Sequence, residues 1–215
     1  MGNDQTKQEL DTGNEPITYF AINIKQPDKL HIVPSDSALS GLVTRVLETH
    51  YSVSDHGATS STTYTITLPG HPFAVSALGD TETASLSLRS AWCCLMAELA
   101  AQGWEVITST DLAQKRSNST VFFRKMVTQL AAEPRRPYTC LAPSSWDKLI
   151  IINLPRSLEP RLTSLVETGW GVQDSKVLQR TRHGTSLRVK MVGNPWTGET
   201  GAAGVQVSRY RHVMN

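Results

Sequence analysis

The chain has 215 residues, 39% of them hydrophobic, and a formal net charge of +2, enough apolar content to bury one large core or two modest ones without disulfides or metal. No apolar run approaches the ~18 residues of a membrane span, residues 1–16 offer no apolar segment for a secretory signal, and three cysteines, two of them adjacent at Cys93 and Cys94, make no disulfide framework. A helical membrane protein and a disulfide-stapled secreted domain are therefore excluded, and the expected location is cytoplasmic.

The small net charge conceals a division. Residues 1–111 carry 13 acidic and 5 basic side chains and residues 112–215 carry 6 and 16, which gives −8 against +10. Such asymmetry fits salt bridging between halves, evenly solvated surfaces, or an anionic partner for the C-terminal half.

Residues 1–16 read as a disordered segment whose opening, Met1-Gly2-Asn3-Asp4-Gln5-Thr6, fits the N-myristoylation pattern: loss of Met1 exposes Gly2, and Thr6 supplies the small hydroxyl. Gly2 is thus a candidate lipidation site that would put the protein at the cytoplasmic face of a membrane. One acyl chain binds a bilayer only marginally, and residues 3–15 hold Asp4, Glu9, Asp11 and Glu15 against Lys7 alone. A second signal would have to come from the basic half meeting an anionic membrane surface.

From Asp28 the chain contains a segment that recurs 119 positions later. Asp28 to His56 aligns without a gap on Asp147 to Ser175, with ten identities in 29 positions, among them Asp28-Lys29-Leu30 on Asp147-Lys148-Leu149, Leu39 on Leu158 and Asp55 on Asp174. In the first copy Leu30 to Val33 predicts a strand and Pro34 to Ser37 a turn with several N-cap residues. Leu39, Leu42, Val43, Val46 and Leu47 fall at helical spacing and predict a helix from about Ala38 to His50. Tyr51-Ser52-Val53 reads as a strand start, Asp55-His56-Gly57 as a turn capped by the aspartate, and Tyr64, Ile66 and Leu68 alternate with outward threonines as a half-buried strand.

A weaker helix-strand-strand relative follows within the same unit. Leu88, Trp92, Leu95, Met96 and Leu99 make a helical stripe, Gly103-Trp104-Glu105-Val106 echoes Gly169-Trp170-Gly171-Val172, and Ser119 to Lys125 reads as a strand. Cys93 and Cys94 are expected to be buried, inert thiols in that helix. The second copy repeats the order: Leu149 to Ile152 as strand, Leu158, Leu162, Leu165 and Val166 as a stripe, Gly169 as a left-handed C-cap, and Leu187, Val189 and Met191 alternating with Ser186, Arg188 and Lys190. The predicted fold is α+β, with internally duplicated strand-helix-strand-strand units forming antiparallel sheets covered by helices. The units span residues 17–130 and 138–215, and the second is truncated, since residues 207–215 reach only the start of a second helix. That truncation predicts an unpaired sheet edge or an uncovered apolar face near the C-terminus, and either would serve as a partner-binding surface.

Both units carry a Gly-x-Pro-aromatic tetrad after their last strand, Gly70, Pro72 and Phe73 in one and Gly193, Pro195 and Trp196 in the other. It reads as a structural turn in which proline holds His71 and Asn194 extended. Arg180, Arg182, His183, Arg188 and Lys190 are candidate anion-binding residues on the hairpin of unit two. No nucleophile elbow, phosphate loop, His-Glu-x-x-His or Cys-x-x-Cys is present, so no catalytic residue, metal or cofactor is assigned. The resulting expectation is a non-enzymatic binding or adaptor protein with a protein partner, peripheral to a membrane if Gly2 is acylated. The alternative is an anionic-ligand or nucleic-acid binder using the basic half, although no exposed aromatics interleave its charges. An enzyme with widely separated site residues is the third reading.

Overall fold

The structure, a computed structural model, describes residues 18–73, 81–111, 119–126, 138–181 and 184–196. The described residues form a mixed α+β fold with two antiparallel sheets and three helices. In chain order the elements are β1 (Tyr19–Lys25), β2 (Lys29–Val33), α1 (Ser37–His50), β3 (Asp55–Ala58), β4 (Tyr64–Thr67), α2 (Thr81–Ala101), β5 (Trp104–Asp111), β6 (Ser119–Lys125), β7 (Cys140–Ser144), β8 (Lys148–Leu154), α3 (Glu159–Trp170), β9 (Val172–Thr181) and β10 (Gly184–Met191). The first sheet has the strand order β3-β4-β2-β1-β6-β5 and the second β7-β8-β10-β9.

α1 forms where its stripe predicts, started by Asp36, whose Oδ1 accepts a hydrogen bond from the Leu39 amide at 2.7 Å; such a cap contributes about 1 kcal/mol. Its buried face, Leu39, Val43, Val46 and Leu47, joins Ile22, Leu30, Ile32 and Ile66 of the first sheet and Ala91, Leu95 and Leu99 of α2 in one core. Aromatics extend the same core over β1, β5 and β6: Phe20 stacks on Phe123 at 4.4 Å and meets the Trp104 edge at 4.7 Å. A second core lies between α3 and the second sheet, built from Leu149, Ile151, Leu154, Val166, Leu187, Val189 and Met191. α2 serves both sheets, for its Leu86 packs with Ala142, Ile150 and Ile152 on the face of the second sheet opposite α3.

Six local expectations are corrected. Strands β1 and β7 precede the predicted ones; β1 shows alternating Phe20, Ile22 and Ile24, whereas β7 contains Pro143, which an edge strand tolerates because one side of it needs no ladder bonds. Asp55-His56-Gly57 is strand rather than turn, paired to β4 with Asp55 opposite Thr67, and Asp174 is likewise in β9 opposite Lys190. Cross-strand pairing overrides the turn propensity of these residues, and the strand start read at Tyr51 lies in the connection. Gly169 is helical, and the left-handed residue ending α3 is Gly171, with φ 78°. His71 has φ 51° and is not extended. Thr65 is buried rather than outward, with its hydroxyl 3.0 Å from that of Thr59.

The two units follow one plan. β1-β2-α1-β3-β4 and β7-β8-α3-β9-β10 have the same element order, and their sheets run β1-β2-β4-β3 and β7-β8-β10-β9. Register agrees residue by residue: Lys25 faces Lys29 as Ser144 faces Lys148, Leu30 faces Ile66 as Leu149 faces Val189, and Asp55 faces Thr67 as Asp174 faces Lys190. Outside the ladders, the Leu68 amide donates to the Asp28 carbonyl as the Met191 amide does to the Asp147 carbonyl.

Candidate interaction surface

Shared register makes the two units comparable position by position, and the comparison isolates one difference. Ile22, Leu39 and Val46 of unit one stand at 0%, 5% and 6% exposure inside the first core. The residues 119 positions on, Leu141, Leu158 and Leu165, stand at 56%, 46% and 59%. All six are apolar: Ile22 faces Ile32 across the β1–β2 ladder as Leu141 faces Ile151 across β7–β8, Val46 and Leu165 both lie inside their helices, and Leu39 is the third residue of α1 where Leu158 caps the start of α3. The same side chains that are sealed in one unit face water in the other.

Among the described residues the two units differ in their cover. In unit one, α2 lies alongside α1, and β6 continues the sheet beyond β1, with Phe20 opposite Phe123 and Ile22 opposite Val121. In unit two, β7 is the terminal strand, and among the described residues no helix lies alongside α3. α3 therefore buries only Val166 fully, with Leu162 and Trp170 partly covered. Leu158 and Leu165 are exposed at α3, and Leu141 is exposed on the side of β7 that faces α3, opposite Ile151 of that core. The opposite flank of α3 meets β9 in a groove of about 440 Å³ whose lining includes Arg156, Glu159, Glu167 and Lys176 beside Val177 and Leu187. Its charges are mixed, and Arg180 Nη2 lies 3.9 Å from Glu159 Oε1.

Exposed leucines at a helix and on an edge strand are what a partner's apolar side chains need. Burying three leucines that stand half exposed or more removes a substantial apolar area from water, and each contributes on the order of 1 kcal/mol.

The other candidate residues are placed as follows. Arg188 and Lys190 share the face of β10 away from α3, as their alternation with Leu187, Val189 and Met191 requires, and Lys190 Nζ is 3.7 Å from Asp147 Oδ2. Arg180 is on the α3 side with Glu159, so the structure does not bring it together with that pair; Arg182, His183 and Gly2 lie outside the described residues. The tetrads occupy equivalent turns. Gly70 and Gly193 have φ 77° and 75°, and the Phe73 and Trp196 amides donate to the carbonyls of Pro27 and Trp146. Trp196 Nε1 also donates to the Lys148 carbonyl at 2.9 Å. His56 Nδ1 is 2.7 Å from the Tyr64 hydroxyl. Among the described residues no group of His, Cys, Asp and Glu could hold a metal ion, and no helix is long and apolar enough to cross a membrane.

Leu158 and Leu165 were visible in the sequence as members of a core stripe, and nothing local marks them as exposed. Leu141 was missed, because the identities begin at Asp28; extending the same offset toward the N-terminus pairs it with Ile22. Comparison with curated proteins and with solved structures gives no significant match. A protein-family model, for a domain whose description names no activity, matches residues 18–124 and 137–212 and breaks between β6 and β7. By a match over most of its length, the chain belongs to the family that this domain defines.

Proposed function

We propose that the protein is a non-enzymatic binding module whose second unit receives an amphipathic helix from a partner in a trough between α3 and β7. The observation that carries the reading is the exposure of Leu141, Leu158 and Leu165 at sites whose counterparts are sealed by α2 in unit one. The fold supplies its own template for the occupant: α2 presents Ala91, Leu95 and Leu99 at helical spacing to the core that holds Ile22, Leu39 and Val46. A partner helix with that i, i+4, i+8 stripe meets nearly the same chemistry on unit two, in the helix-in-groove mode of recognition. On this reading the two units share descent from one segment, and the second has exchanged an internal cover for an external one.

The test uses a fluorescent peptide with the sequence of residues 81–101, titrated with the full chain. Saturable binding that weakens about tenfold or more with Leu141→Glu, Leu158→Glu or Leu165→Glu supports the proposal. Equal affinity for all variants overturns it. Two further outcomes also overturn it: binding that appears only when residues 197–215 are removed, which makes that segment the occupant, and self-association abolished by the same substitutions, which makes a second copy the occupant.

A further inference from the structure

The face of α2 turned toward the second sheet carries Leu86, Ser90 and Cys93, separated by four and three residues and so aligned on one side of the helix. Each has a partner across the junction between the units. Leu86 packs against Ala142, Ile150 and Ile152. Ser90 Oγ donates to Asn153 Oδ1 at 3.1 Å, and Asn153 Nδ2 donates to the Ser90 carbonyl at 3.5 Å. Cys93 meets Cys140 of β7, their thiols joined by a hydrogen bond. Cys140 is held in place by its ladder position opposite Ile152, the residue beside Asn153. Both cysteines are free thiols; Cys93 is buried and Cys140 is partly open to solvent.

We propose that Cys93 and Cys140 are a modification site for hydroperoxides, oxidised to a reversible disulfide that ties α2 to β7 and so the first unit to the second. Both α2 thiols are buried as expected, and the activated member of the pair is Cys140, contributed by β7. The hydrogen bond from Cys93 lowers the Cys140 thiol to about 7, and the Arg89 guanidinium acts in the same direction against burial. The Cys93 thiol is pushed up, first by its hydrogen bond to Cys140 and then by burial, so it is the member that keeps its proton.

The chemistry balances with one oxidant. The Cys140 thiolate attacks the distal oxygen of the hydroperoxide, the O–O bond breaks, and the leaving alkoxide takes a proton from water as Cys140 becomes a sulfenic acid. Cys93 sulfur then attacks the Cys140 sulfur; the S–O bond breaks, and the departing hydroxide takes the Cys93 proton as water. Two thiols are oxidised by two electrons, and the peroxide is reduced to an alcohol and water.

The experiment treats the full chain with hydrogen peroxide, blocks free thiols by alkylation and maps peptides by mass spectrometry. The expected product is a Cys93–Cys140 linked pair that dithiothreitol reverses, that survives Cys94→Ala and that is lost in Cys140→Ser. A sulfenic-acid trap such as dimedone should label Cys140 only transiently in the native sequence and persistently in Cys93→Ser. Over-oxidation of Cys140 with Cys93 untouched, a Cys93–Cys94 pair, or a Cys140 link between two chains would each overturn the assignment. Because the thiol pair and the leucine trough lie on opposite faces of the second sheet, failure of either proposal leaves the other standing.

Discussion

Val46 and Leu165 occupy the same position in two helices of the same plan, yet Val46 is buried at 6% exposure and Leu165 is open at 59%. Truncating each therefore separates core from surface at a matched site. Val46→Ala should destabilise the protein by about 2 kcal/mol, the cost of removed methyls and the space they leave. Leu165→Ala should change stability by less than about 0.5 kcal/mol. Urea denaturation of the two variants checks the contrast.

Gly184 begins β10 with φ 147°, and a Cβ there would lie 2.6 Å from the Leu154 carbonyl oxygen and 2.7 Å from the Asn153 carbonyl carbon. Both obstacles are backbone, so no side chain can move aside. Gly184→Ala should cost about 2 kcal/mol or more, whereas Gly41→Ala, with nothing within 4 Å of its Cβ, should stabilise α1 by up to about 1 kcal/mol. Thermal melts of the pair measure both signs.

The Cys140 thiol, lowered from 9.0 to about 7, makes stability depend on pH. Between those values the unfolded chain holds a proton that the native protein has released, so stability should rise with pH from about 7 to 9. As pH falls through 7 that contribution is lost. Above 9 the raised Cys93 opposes further gain, since the unfolded thiol then releases a proton that the native one keeps. Arg89, Cys93 and Cys94 are the charged or titratable groups acting on this pair. Cys140→Ser should flatten the rise, which denaturation midpoints across that range will report.

The N-terminal pattern predicts that Gly2 is acylated in a eukaryotic host. The intact mass should show loss of Met1 and gain of one myristoyl group, and Gly2→Ala should abolish both the added mass and any liposome flotation. A free Gly2 in the native protein contradicts the pattern.

The repeat and the helical stripes made most of the architecture legible. The Leu39-Val43-Val46-Leu47 spacing placed α1, and the alternation around Val189 placed β10, because periodicity records which face is dry. What escaped was set by partners distant in sequence. β7 contains a proline and shows little alternation, and it is a strand because β8 pairs with it. Asp55 and Gly57 carry turn propensity, yet the β4 ladder recruits them. The exposed leucines were not legible: Leu158 and Leu165 read as core, and Leu141 came into view only once Ile22 and Leu141 were seen to share a register. The thiol pair was illegible, since Cys93 and Cys140 belong to elements that meet only across the junction of the two units.

The most direct measurement replaces Leu165 with the photoreactive residue p-benzoylphenylalanine in the full chain and irradiates it with the peptide of residues 81–101. Crosslinks from that site to the stripe formed by Ala91, Leu95 and Leu99 of the peptide are the predicted result. Crosslinks confined to residues 197–215 of the same chain or to a second copy, with the peptide untouched, would contradict a trough built to receive a partner helix.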